Sequence, residues 1–128
     1  MSTRNNVTQL VAMVEAGQLL EAFEQFYADE VVMQENTNPA TVGKDANRVR
    51  EIEVLSSVKE VHVNRSKGVL VDGDEAVILW ELEFTNQDGV RIRLDQVAHQ
   101  QWRDGKIVRE RFVYDSNAVV QQPEAVLA

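Results

Sequence analysis

The sequence predicts an α+β fold in which three helices cover the concave face of a curved antiparallel sheet. Three observations predict it. Apolar residues recur at helical spacing only before about residue 58. After it they alternate, as half-buried strands do. The alternating runs are separated by the Asp-Gly turns of "VDGDE", "NQDG" and "RDGK", strong hairpin signals. Helices followed by a meander place the two kinds of structure in separate layers.

Val7, Leu10, Val11 and Val14 give the first helix its apolar stripe, with Asn5 or Asn6 placed to cap it and Gly17 to end it. Leu19, Leu20, Phe23, Phe26 and Tyr27 give the second helix a broad apolar face. "VVMQE" is a strand, followed by a loop with Pro39 and Gly43. "KDANRVREIEVLSSV" sets Ala46, Val49, Ile52 and Leu55 on one face of a third helix. The strands follow: "VKEVHVNRSKGVLV", with a bulge at Gly68, then "AVILWELEF", "VRIRLDQVAHQQW" and "IVRERFVYD". Long strands twist, and a bulge bends them further, so the sheet becomes a cone with helices filling its mouth. The tail "SNAVVQQPEAVLA" has no clear pattern and either packs across a partner or frays.

At 128 residues the chain is expected to be one domain over 1–128, long enough for a real core. A net charge of −8 argues against nucleic acid, whose phosphates call for a basic partner, and against an anionic membrane surface. The absence of cysteine excludes disulfides and thiolate metal sites. His62 and His99 lack ligand spacing, so no metal and no cofactor is expected. "MSTRNNVTQL" lacks the apolar core of a signal peptide, and no apolar run is long enough to span a membrane. A cytoplasmic location is the resulting expectation.

The order of elements, with "YADEVVMQEN…VGKDA" and "QWRDGKIVRERFVYD", resembles the nuclear transport factor 2-like superfamily, and within it the SnoaL-like group. The likeness runs roughly from Val7 to Asp115. It implies a deep pocket on the concave side and a frequent homodimer. It also implies a range of activities, from ketosteroid isomerases, polyketide cyclases and limonene epoxide hydrolases to pure binding proteins, so it does not settle a reaction. Glu35 falls where ketosteroid isomerases carry their general base. The oxyanion donors of those enzymes would sit near Leu10 or Val11 and near Ala98, and are missing. The epoxide-hydrolase set would need an Arg near Leu79 and an Asp near Phe112, and has only Glu81 nearby. For cyclases, Asp115 lies in the right region.

The likeness places Leu94, Gln96, Ala98, Gln100 and Trp102 on the concave face of the long strand, with Glu110, Phe112 and Tyr114 on the last. In "WELEF", Trp80, Leu82 and Phe84 are favoured inward on apolar grounds. The candidate catalytic residues are Glu35 and Glu110, expected to share one cavity with Gln96 and Gln100 between them. Tyr27, Asn36, Trp80, Gln96, Gln100, Trp102, Phe112 and Tyr114 are the candidate ligand contacts. Each has a plainer reading: Glu35 as a solvated strand end, Asn36 as a turn cap, Asp115 as a turn former, the tryptophans as core. Glu110 could instead pair with Arg91 or Arg93. On the convex face, Val97, His99, Gln101, Arg109, Arg111 and Val113 mix apolar and charged residues as a homodimer interface does.

Three functions fit. The first is a cofactor-independent isomerase, cyclase or hydrolase acting on a small apolar carbonyl or epoxide compound, with Glu35 as base. The second is a module that binds a metabolite without chemistry. The third is a structural dimer whose pocket is a by-product of the cone. Only the catalyst needs Glu35 for turnover.

Overall fold

The computed structural model describes residues 2–116 and, as backbone, 120–121. Helices α1 (Thr3–Glu15) and α2 (Leu19–Phe26) lead into strand β1 (Tyr27–Glu35). A two-residue strand β2 (Thr41–Val42) precedes helix α3 (Lys44–Ser56). The meander follows as β3 (Val58–Asp72), β4 (Glu75–Asn86), β5 (Arg91–Arg103) and β6 (Lys106–Val113), and β7 (Val120–Gln121) pairs β5 beside Ile92 and Arg93. The sheet order is β2-β1-β6-β5-β4-β3. The expected α+β plan with three helices over a curved sheet is what the chain adopts.

The hairpins form at the expected Asp-Gly turns. Asp104 and Gly105 have φ of 53° and 78° between the paired residues Arg103 and Lys106, the two positive values that a type I′ turn requires. A side chain at Gly105 would meet only ordinary contacts, so its cost is conformational. Gly105→Ala is expected to destabilise the fold by about 1 kcal/mol, read from the urea midpoint at unchanged slope. A neutral substitution would remove the strain argument. The register of β3 on β4 shifts between Ser66 and Gly68, where the bulge was expected, and at two further points nearer Val58.

Four local expectations are corrected. Ser2, not Asn5 or Asn6, caps α1: its side chain accepts from the Asn5 backbone N–H, and Asn6 is buried inside the helix. Tyr27 does not extend α2 but opens β1, opposite Ile107. The sheet is not wholly antiparallel, because β1 runs parallel to β6, with α3 and two hairpins between them in sequence. Finally, α3 turns its apolar residues outward: Val49, Ile52, Val54 and Leu55 are exposed, and Asn47 is the residue it buries. The reason lies in the β1–α3 connection. Asn47 donates from Nδ2 to the carbonyls of Thr41 and Gly43 (3.0 and 2.8 Å) and more distantly to Val31, and those bonds set the rotation of the helix.

One apolar core joins the helices to the concave face: Val7 and Leu10 of α1, Phe23 and Phe26 of α2, and Val31, Ile78, Ala98 and Ile107 of the sheet. Trp80 belongs to it and Leu82 packs against it, so both point inward, while Phe84 is half-buried outside this cluster. On the convex face Glu81 takes Arg65 and Arg93, Glu83 takes Arg91, and Glu75 takes His99. Arg91 and Arg93 are therefore not partners of Glu110. No helix among the described residues is long and apolar enough to cross a membrane. Beyond the β7 backbone, the tail's expected packing or fraying lies outside the described residues.

Candidate functional site

Strand register lines the concave face in rows. Met33, Glu110, Gln100 and Ala76 form one row across four strands, and Glu35, Phe112, Ala98 and Ile78 the next. The row of Glu110 lies under the helices, and that of Glu35 begins at the open end of β1. A cavity of about 420 Å³ opens there. Its apolar wall is Met33, Pro39, Ala40, Val54 and Phe112, and its polar wall is Gln34, Glu35, Asn38, Thr41, Asn47, Arg50 and Glu51.

Glu35 is held from two sides. Tyr114 Oη donates to Oε1, and Arg50 Nη2 donates to Oε2 at 2.8 Å. The bond to Glu35 and partial burial push the Tyr114 phenol up to about 12. Asn36 secures this strand end rather than lining the cavity. At φ 51° it bonds its N–H to Phe112 O, its O to Arg111 Nε and its Oδ1 to Tyr114 N–H.

Glu110 lies deeper, only 2% exposed, and is not among the cavity-lining residues. Tyr27 Oη donates to its Oε1, and Gln100 Nε2 donates to its Oε2 at 2.7 Å. Trp102 Nε1 in turn donates to Gln100 Oε1 at 3.0 Å, which fixes the Gln100 amide. Burial pushes the Glu110 carboxyl up to about 7, against the opposing pull of its two donors. Burial, with Glu110 beside it, also raises the Tyr27 phenol well above the ordinary range. The expectation of Glu35 and Glu110 in one cavity with Gln96 and Gln100 between them is thus corrected: Gln100 belongs to the buried chain, and Gln96 sits opposite Trp80 on β4. Trp80 and Trp102 are core residues, Trp102 packing edge-on to Phe26. Of the predicted contacts, Phe112 lines the cavity and Tyr114 reaches it through Glu35.

Arg50, Glu51 and Asn47 were not anticipated. Their signal is the spacing Asn47, Arg50, Glu51, Val54, one face of a helix, which the stronger apolar spacing of Val49, Ile52 and Leu55 masked. Glu51 is half-buried; desolvation, with Glu110 and Glu35 as neighbouring charges, pushes its carboxyl up to about 7. The site thus has two carboxyl groups in different surroundings, one clamped by donors and one made reluctant to ionise. Such a pair can take a proton at one point and give one at another. Among the described residues no group of three or more His, Asp or Glu side chains is arranged to hold a metal ion.

The family model for the SnoaL-like domain matches residues 7–110. The chain belongs to the SnoaL-like family. No curated protein matches this SnoaL-like chain. Among solved structures it is similar to a protein of Mesorhizobium loti provisionally described as a SnoaL-like polyketide cyclase. That likeness has 25% identity and a TM-score of 0.77, over 88% of this chain and 98% of the other. It is also similar to a Burkholderia pseudomallei NTF2-like protein of unknown function (16% identity, TM-score 0.77, 91% and 94% covered). A third is TerC, co-crystallised with polyporic acid (16% identity, TM-score 0.74, 91% and 93% covered). The last two likenesses establish the fold alone.

Proposed function

We propose that this SnoaL-like domain binds a small, largely apolar carbonyl compound in the cavity at the end of β1. There it catalyses a cofactor-independent proton transfer of the isomerase or cyclase kind, with Glu35 as general base. One observation carries the reading: Glu35 lines a cavity of about 420 Å³ with one apolar and one polar wall, and is aimed by a donor on each oxygen. A carboxylate fixed in this way spends little orientational freedom on meeting a C–H bond. A fold relative named as a polyketide cyclase, and another crystallised with a small organic acid, support a small-molecule ligand.

The test uses 2-tetralone, a ring ketone small enough for the cavity. Deuterium exchange at the carbons beside its carbonyl is followed by NMR in D₂O. Wild-type protein is expected to accelerate exchange over buffer. Glu35→Gln is expected to abolish the acceleration and to change stability by less than about 1 kcal/mol, since its ion pair with Arg50 is partly solvated. Absence of acceleration by the wild type, or its survival in Glu35→Gln, would remove the base. Binding without turnover is the second reading, favoured by the engagement of Tyr27 and Glu110 in the core, where they reach no substrate. A homodimer through the convex face belongs to the proposal as well; Val113 stays 42% exposed there in the single chain.

A further inference from the structure

An enolising base needs a partner that stabilises the oxygen on which charge develops. By the resemblance to ketosteroid isomerases such donors would sit near Leu10 or Val11 and near Ala98, and all three of these side chains are apolar. The cavity has one other carboxyl group, Glu51 on α3. Glu35 has a donor on each oxygen, whereas no hydrogen bond or ion pair within the described residues engages the Glu51 carboxyl. It is therefore the free acidic group of the cavity. One helical turn earlier on the same face, Asn47 is 1% exposed and its Oδ1 has no partner. That oxygen is correctly placed: the three backbone carbonyls around the amide admit only the nitrogen on their side. The Asn47–Glu51 face of α3 is thus held rigidly against β1 and β2 and presents polar groups not used by the fold.

We propose that Glu51 is a catalytic residue of this cavity, the neutral acid that donates to the carbonyl oxygen of the ligand while Glu35 removes the proton from the adjacent carbon. This assignment rests on the proton-transfer reading of the site. The step balances without a co-reactant. The C–H bond breaks to Glu35, its electron pair becomes the C=C bond of an enol, and the carbonyl π pair takes the Glu51 proton as O–H. Return of the proton from Glu35 to the same carbon, or to the γ carbon where the ligand is a β,γ-unsaturated carbonyl compound and the enol a dienol, and of the O–H proton to Glu51, completes an exchange or an isomerisation with both carboxyl groups restored. Burial keeps Glu51 neutral up to about pH 7. The groups that set its titration are Glu110 on β6 and Glu35 on β1, which oppose its ionisation, and its neighbour Arg50, which favours it. Tyr27 on β1 lies within electrostatic range and stays neutral in this window.

The sign of the pH dependence follows: an acid that must be neutral works below its pKa and fails above it. Exchange of 2-tetralone by the wild type should fall about tenfold per unit above about pH 7. Glu51→Ala should lower kcat about 100-fold with KM changed less than about threefold, the pattern of an interaction made mainly in the transition state. Glu51→Gln keeps a weaker donor but nothing to titrate, so it should retain more activity than Ala and lose the fall above pH 7. A purely structural Glu51 would not move that profile. Unfolding curves for each variant establish that it is folded at the assay temperature. Exchange in Glu51→Ala at the wild-type rate, or a Glu51→Gln profile that still falls above pH 7, overturns this assignment and leaves Glu35 in place. No exchange by the wild type overturns the assignment together with the reading on which it rests.

Discussion

Glu110→Ala is expected to lower the stability of the fold by about 4 kcal/mol at pH 6, through a cavity and two orphaned donors. The side chain is 2% exposed and accepts from Tyr27 Oη and Gln100 Nε2, both buried. Truncation leaves the phenol and the amide without their acceptor. Gln100 cannot turn to compensate, because its oxygen is committed to Trp102 Nε1. Glu110→Gln is the control. Its oxygen can accept from Gln100 Nε2 and its NH₂ can meet Tyr27 Oη, whose hydroxyl can turn to accept. That variant should lose only about 1–2 kcal/mol. Urea unfolding at constant slope measures both. A loss below about 1 kcal/mol for Glu110→Ala would mean that the buried chain adds little to the fold.

Raising the pH from 4.5 to 8 should cost the wild type about 3 kcal/mol, carried mainly by Glu110 and in smaller part by Glu51. Both carboxyl groups have folded-state values raised from 4.5 to about 7. In the unfolded chain they ionise near 4.5, while in the fold they stay protonated to about 7. Their contribution is thus fully present below pH 4.5 and is lost as the pH rises through 7. Two and a half units at about 1.36 kcal/mol each set the ceiling for one fully buried group, and the partial exposure of Glu51 lowers its share. Glu24, lowered by its bonds to Arg48, acts in the opposite direction at acid pH, but it is half-exposed and its effect is small. Chemical denaturation at pH 5 and pH 8 reads the difference, and Glu110→Gln should remove most of it. Stability that is flat or rises over that interval would show that Glu110 is not desolvated.

The architecture was legible in the sequence because each of its signals is local. Period-3.6 spacing in "NVTQLVAMV", period-2 spacing in "VAHQQW" and an Asp-Gly pair at each hairpin need no distant partner to be read. Strand faces needed more than alternation: the family likeness placed Gln100, Glu110 and Phe112 inward and apolar grounds placed Trp80 there, and the register agrees. What alternation cannot supply is depth. Glu35 and Glu110 share a face, yet one opens onto a cavity and the other closes a buried chain with Tyr27 and Gln100. That difference is made by Tyr27 and Gln100 closing over the Glu110 carboxyl, while Arg50 and Glu51 of α3 only wall the space beside Glu35. The parallel pairing of β1 with β6, which joins Met33 to Glu110 and Glu35 to Phe112, links residues more than 70 positions apart and leaves no local trace.

The rotation of α3 is the sharpest case. Its sequence carries two usable faces, and the more hydrophobic one, Val49, Ile52 and Leu55, is the one that burial alone would choose. The tertiary structure chose the other. The backbone carbonyls of Thr41 and Gly43 take the Asn47 amide, that of Gly43 while also accepting the Asn47 backbone N–H. Burying the Asn47 amide without those acceptors would cost on the order of 1–3 kcal/mol, comparable with the burial of one aliphatic side chain. The sequence by itself therefore determined most of the elements, the faces of the long strands and the family. Only the tertiary structure decided that Arg50 and Glu51 line the cavity and that Glu110 lies beneath it, because the Asn47 amide docks α3 on the β1–α3 connection and the Tyr27–Glu110 bond joins β1 to β6.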